Sequence, residues 1–162
     1  MIESLKEVLW YQFGASIDML ENAIAMCPEK IWDDKDKFWY NAYHCLFFLD
    51  YYLTTEPDNF SPPSPFSLSE FRSQEMPERT YSKEELITYI HFCKSKCHDL
   101  IFNLTEDGLN KRWVNEWRDY SILEILIYNM RHVQHHAAQL NLLLRKGIDN
   151  SPQWVSRTKT KL

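Results

Sequence analysis

Glycine is nearly absent from this chain: Gly14, Gly108 and Gly147 are the only three among 162 residues. That scarcity argues against a β-rich fold with many tight turns and against a glycine-rich phosphate cradle, since both need the backbone freedom glycine supplies. Basic clusters are also missing. Lys and Arg number 18 against 23 Asp and Glu, a net charge of −5 with a pI of about 5.7. Without a stripe of positive charge to neutralise phosphates, a nucleic-acid partner is not expected. The only concentrated basic run, Arg157-Thr158-Lys159-Thr160-Lys161, is short and reads as a solvated tail. Long apolar runs are lacking as well. The longest, Phe38 to Leu53, is broken by Asn41, His44 and Asp50 and falls short of a membrane span. Glu3 and Glu7 stand where a secretory leader carries positive charge. The four cysteines, Cys27, Cys45, Cys93 and Cys97, belong to a chain too large to need disulfide staples. Free thiols in a reducing cytoplasm, with no membrane partner, are the expectation.

Aromatic and apolar side chains, by contrast, are plentiful. Hydrophobic residues make up 44% and aromatics 15% of the chain, enough for one domain over 1–162 with a core that needs no cross-link. Apolar residues recur at helical spacing in four long segments, and none alternates strictly. The first covers about 2–26. The second covers about 35–53, with N-cap candidates among Asp33 to Asp36. The third covers about 82–104, opened by the capping box Ser82-Lys83-Glu84-Glu85 and stopped by Gly108. The fourth covers about 120–146, opened by a second box, Ser121-Ile122-Leu123-Glu124, and ended by Gly147 in the left-handed cap position. Residues 148–162 form a tail. The fold class is therefore all-α, a four-helix bundle. Between the second and third helices lies a Pro- and Ser-rich stretch too long for a simple turn. It reads as a crossover that lets those two helices run parallel, pinned to the bundle by Phe60, Phe66, Leu68, Phe71 and Met76.

His132 and His136 are spaced i,i+4 in the fourth segment. On a helix such positions lie about 40° apart around the axis, so two imidazoles can converge on one ion at ~2.0–2.1 Å each. His44 stands alone in a second segment that is apolar nearly all round. An unpartnered ring there would cost about 1–3 kcal/mol. A metal ion is one solution, and a hydrogen bond to a neighbouring hydroxyl or carbonyl is another. The lone histidine and the flank pair together point to a metal site. Tyr40, Asn41, Phe48 and Tyr128, each one turn from a ligand, are the candidates for the pocket wall. His135 is rotated away from its neighbours and is expected on the surface or in support of the ligands rather than as one of them.

Phe38-Trp39-Tyr40-Asn41-Ala42-Tyr43-His44-Cys45-Leu46-Phe47-Phe48-Leu49-Asp50 and Arg131-His132-Val133-Gln134-His135-His136-Ala137-Ala138-Gln139-Leu140 together resemble the DinB-like (YfiT-like) superfamily, and the similarity spans essentially the whole chain. The resemblance implies an up-down-down-up bundle in which His44, His132 and His136 hold one divalent metal ion, zinc or nickel. It further implies a metal-dependent enzyme of the thiol S-transferase type, with a low-molecular-weight thiol as co-substrate and a small molecule as substrate. A metal-dependent hydrolase, or a non-catalytic metal-binding stress or interaction protein, is the alternative. Ala138 departs from the HxxxHxE pattern of the iron-dependent, sulfoxide-forming branch and counts against that chemistry. A homodimer is compatible with a small bundle, although no residue establishes it.

The third segment offers a competing set, His91, Cys93, Cys97 and His98, whose side chains cannot all converge from one helix; packing thiols are the expectation. Trp113 and Trp117 flank the start of the fourth segment and are expected to cap the bundle end, with ligand stacking as a second role.

Overall fold

The computed structural model describes residues 1–72 and 75–162. Among them are six α-helices, namely α1 (Ile2–Met26), α2 (Glu29–Trp32), α3 (Phe38–Tyr52), α4 (Lys83–Phe102), α5 (Glu106–Asn110) and α6 (Ile122–Ile148), and one antiparallel pair of strands, β1 (Arg112–Val114) and β2 (Asp119–Ser121). The protein is predominantly helical, as composition and periodicity require. No described helix is long and apolar enough to cross a membrane.

The long helices pack in a ring, α1 and α3 each lying against both α4 and α6 while touching one another only slightly. Between α1 and α4, Lys6 faces Phe102, Trp10 faces His98, Asp18 meets Lys94 and Glu21 meets His91, so numbers fall on one helix as they rise on the other. Between α3 and α4, Leu46 meets Cys93 and Asp50 meets Lys96, rising together. Between α3 and α6, His44 faces His136 and Tyr52 faces Tyr128, again in opposite order.

α3 is sealed on most sides, with Phe38, Trp39, Tyr43, Leu46, Phe47 and Leu49 all buried. Its one buried charge, Asp50, is compensated: Lys96 donates to Oδ1 at 2.6 Å and the Tyr89 hydroxyl to Oδ2 at 2.9 Å. Asn129, fully buried on α6, donates from Nδ2 to the Leu49 carbonyl at 3.0 Å and ties the two helices together.

Several local expectations are corrected. The second helix begins at Phe38 rather than near 35, because the acidic residues before it are bound in the turn. Asp33 accepts from Trp39 Nε1 at 2.7 Å, Lys37 Nζ at 2.8 Å and Thr80 Oγ1 at 2.9 Å. Lys37, at φ 50°, occupies the cap position without a side-chain cap. Ser82 and Glu85 do form both halves of their box, whereas Ser121 supplies its half by accepting from the Glu124 N–H at 3.1 Å. α4 ends at Phe102 with Asn103 as its cap, and Gly108 lies within α5 instead of acting as the stop. Gly147 lies inside α6, and the left-handed cap falls to Asp149 at φ 54°. What Gly147 provides is room, since a Cβ there would sit 3.0 Å from Ile31 Cδ1. The short hairpin β1–β2 has no counterpart among the sequence expectations.

The crossover is pinned by Phe60, which is buried, and by Phe66, stacked on Tyr89 at 4.3 Å; Leu68, Phe71 and Met76 remain substantially exposed. The C-terminal tail is docked on α1, although Arg157, Lys159, Thr160 and Lys161 are exposed as a solvated run requires. Thr158 is buried, its N–H donates to the Tyr11 carbonyl at 3.1 Å, and Trp10 Nε1 donates to the Thr160 carbonyl at 2.8 Å. Arg157 lies over the Tyr11 ring at 4.0 Å. Gly14 makes this docking feasible, because a Cβ at that position would stand 2.7 Å from Thr158 Cγ2. Gly14→Val should therefore destabilise the fold by about 1–3 kcal/mol and make the segment after Ile148 protease-sensitive. Urea denaturation with limited proteolysis checks this, and an unchanged cleavage pattern would refute the docking role.

Candidate metal centre

α3 and α6 position the three histidines. His132 and His136 leave α6 on the same face, with ring centroids 4.5 Å apart. His44 reaches them from α3, its ring 6.0 Å from that of His132 and 5.1 Å from that of His136. One ligand-type nitrogen of each ring lies within 4.8 Å of the other two, the only such group of three His, Cys, Asp or Glu among the described residues.

A fourth residue completes the arrangement, and sequence reasoning missed it. Glu70 comes from the 3-10 turn Ser69–Phe71 in the crossover. Its carboxylate is almost wholly buried, and Oε2 lies 2.6 Å from His44 Nδ1. When a neutral imidazole donates its Nδ1–H to a carboxylate, its lone pair resides on Nε2. Such a partner orients a metal-ligating histidine and raises its basicity. Nothing in the sequence singles Glu70 out, since it is one of several acids in an aperiodic segment.

The donor chemistry fits a divalent cation. His132 Nδ1 and His136 Nδ1 are buried and have no hydrogen-bond partner, as does Glu70 Oε1. Burial, reinforced by the neighbouring imidazoles, pushes His132 down to about 3. Burial and His44 push His136 down to about 4. Both rings are thus neutral near pH 7 and can donate lone pairs. Tetrahedral coordination at ~2.0–2.1 Å is the zinc preference, with three protein ligands characteristic of sites that keep one position for water or substrate.

The wall residues divide. Phe48 packs against both His44, tilted with centroids 4.9 Å apart, and His132, edge-to-face at 6.0 Å. Tyr128 accepts from Arg118 Nη2 at 2.9 Å and packs on Tyr52, whose ring is 5.8 Å from that of His132. Tyr40 lies close to Glu70; burial first, then that negative charge, pushes its hydroxyl up to about 12. Asn41 is a correction. Its Nδ2 donates to the Asp36 and Lys37 carbonyls at 3.0 and 3.1 Å, so it serves the start of α3 rather than the cluster. His135 is exposed and stands outside the cluster.

The set on α4 does not assemble. Cys93 and Cys97 are fully buried, and burial raises both thiols well above their ordinary value. His91 is paired with Glu21 at 2.7 Å, and His98 packs on Trp10 and Phe102. Trp113 is buried and donates from Nε1 to the Thr54 carbonyl at 2.8 Å, while Trp117 is exposed. Trp117 lines a cleft of about 630 Å³ whose walls include Phe48, Tyr52 and Glu70, the same side chains that touch the histidines. Set against protein-family models, curated proteins and solved structures, the chain has no match.

Two outcomes follow for the isolated protein. Glu70→Gln should weaken zinc binding about 10- to 100-fold, read by competition with a chromophoric chelator, whereas Asn41→Ala should leave it within experimental error. Equal affinities for wild type and Glu70→Gln would remove the carboxylate from the site. In the metal-free protein, His132 and His136 are held neutral when folded but take protons near 6.5 once unfolded. The unfolded chain then binds more protons below that value, so stability is full above pH ~6.5 and declines as pH falls toward ~3. Urea midpoints measured with chelator from pH 7 to 4 should show that decline, and His132→Gln should flatten it.

Proposed function

We propose that this chain is a divalent-metal protein of the DinB-like type, with His44, His132 and His136 as ligands to one zinc or nickel ion, and that it is an enzyme transferring groups to a small thiol. The observation that carries the proposal is the meeting of three imidazole donors from two helices, with His44 Nδ1 engaged by the buried carboxylate of Glu70. The contact order between helices supports the up-down-down-up winding expected of such a bundle. Opposed numbering of α1 with α4 and of α3 with α6, and matched numbering of α3 with α4, fit a crossover over 54–81.

When bound at three neutral imidazoles, such an ion supplies a Lewis-acidic position that lowers the pKa of a coordinated thiol or water. The chain's own groups do the rest. Glu70 holds the proton at His44 Nδ1 and so keeps Nε2 available. Phe48 and Tyr52 shield the imidazoles from bulk water on the side of the cleft. The thiol class is favoured over hydrolysis by what the cleft contains. Glu70 is committed to His44, and the other acids of the lining, Asp58 and Glu116, are exposed and stand outside the histidine cluster. A thiolate is nucleophilic once ionised and needs no such base.

Elemental analysis of protein purified without nickel affinity should give one divalent ion per chain, and His44→Ala should abolish it. Cobalt-substituted protein should change its visible spectrum on addition of a small thiol. Protein that takes up no ion would overturn the metal assignment. A cobalt spectrum indifferent to thiols, carboxylates and phosphate would leave only a structural metal.

A further inference from the structure

The cleft beside the histidines is lined in part by Arg118, which has no ion-pair partner among the described residues. The hairpin turn between β1 and β2 is held by Asn115, whose Oδ1 accepts from the Trp117 and Arg118 N–H groups at 3.0 and 2.8 Å. Asn115 Nδ2 donates to the Tyr51 hydroxyl at 3.2 Å, which docks the turn on α3. Arg118 is thereby laid half-buried across two aromatic faces, its Cζ 5.7 Å from the Tyr52 ring and 5.0 Å from the Tyr128 ring. One of its five donors is used, by Tyr128. None of the ion pairs among the described residues includes it. A planar, aromatic-backed fork with free N–H groups is the geometry that recognises an oxyanion in a bidentate manner.

We propose that Arg118 is the anchor of a substrate subsite for a carboxylate carried on a planar, apolar body. Three features of one cavity meet in this subsite. Its volume, about 630 Å³, suits a small organic molecule. Its walls, with Phe48, Tyr52, Phe71 and Trp117, offer aromatic faces to an apolar body. Its single cation lies over Tyr52, whose ring in turn packs against His132, so the anionic end of the ligand would be held one aromatic ring away from the histidine cluster. Asp58 and Glu116, also in the lining and exposed, disfavour a dianion or polyphosphate by like-charge repulsion. The assignment deepens the enzyme reading above, but its test does not depend on bound metal.

Benzoate serves as the probe, with benzyl alcohol as its neutral counterpart and inorganic phosphate as the competing anion. In chelator-treated, ¹⁵N-labelled wild type, the Arg118 Nε–H resonance should move on titration with benzoate and stay still with benzyl alcohol. Arg118→Met should lower benzoate affinity about 10- to 100-fold while changing benzyl alcohol affinity less than about twofold. Arg118→Lys, which keeps the charge and the stem, should fall between, and it preserves the comparison should Arg118→Met not fold. Wild type that binds no benzoate, or an Arg118→Lys variant that binds it as tightly as wild type, would overturn the subsite. Phosphate binding as well as benzoate would overturn the carboxylate class. Benzoate binding that requires zinc and survives loss of Arg118 would place the anion on the ion, overturning the subsite but not the metal reading. Arg118-dependent binding by a protein that takes up no zinc would do the reverse.

Discussion

Helix α3 carries aromatic or aliphatic side chains around almost its whole circumference, and the rest of the molecule is arranged to keep them from water. Burying a large apolar side chain is worth about 1.5–3 kcal/mol, and α3 buries eight or more of that kind along four turns. Two neighbouring helices cannot cover such a surface. α4 and α6 take two sides, and the crossover must take a third, which is why Phe60, Phe66 and Tyr81 lie against it. The same wrapping brings Glu70 onto His44. The contact that orients the proposed ligand is thus a consequence of how the apolar helix is sealed.

The polar groups admitted to this interior each have a defined task. Asp50 is held by Lys96 and Tyr89, and removing Lys96 would leave a buried carboxylate without its countercharge. Asn129 satisfies a carbonyl at the C-terminal end of α3 and fixes the height of α6 against it. That height decides whether His132 and His136 lie opposite His44 or a turn away. His132 and His136 each keep a buried Nδ1 without a hydrogen-bonding partner. Asn129 Oδ1, Asn141 Oδ1 and Thr158 Oγ1 also lack partners, but the gathering of three such atoms, His132 Nδ1, His136 Nδ1 and Glu70 Oε1, around one cluster is what gives the metal proposal its physical force.

The helices are legible in the sequence because their signals are local. Periodicity places the four long ones within a few residues of their observed ends, and the box at Ser82 is formed as expected. Glycine is less legible. Gly147 and Gly14 both serve close approach, to Ile31 and Thr158, rather than conformational freedom, and close approach depends on distant residues. The basic tail looks solvated when charge is weighed without packing; Trp10 and Tyr11 on α1 supply its docking surface. Spacing from His44 alone puts Asn41 on the pocket wall. The later start of α3 leaves it in the first turn, where loop carbonyls claim its amide.

By itself the sequence determined the helical class, the shared face of His132 and His136, and the solitary position of His44 in an apolar helix. Each follows from the repeat of a single helix, in which near neighbours settle where a side chain points. Only the tertiary structure decided that the third ring meets the other two, that Glu70 stands behind it, and that Arg118 lines the adjoining cleft with no acid partner among the described residues. Glu70 lies 26 residues from His44 and Arg118 is 10 from Tyr128, each on an irregular segment or turn. No periodicity links such positions. Their meeting is set by the burial of α3, a property of the assembled fold.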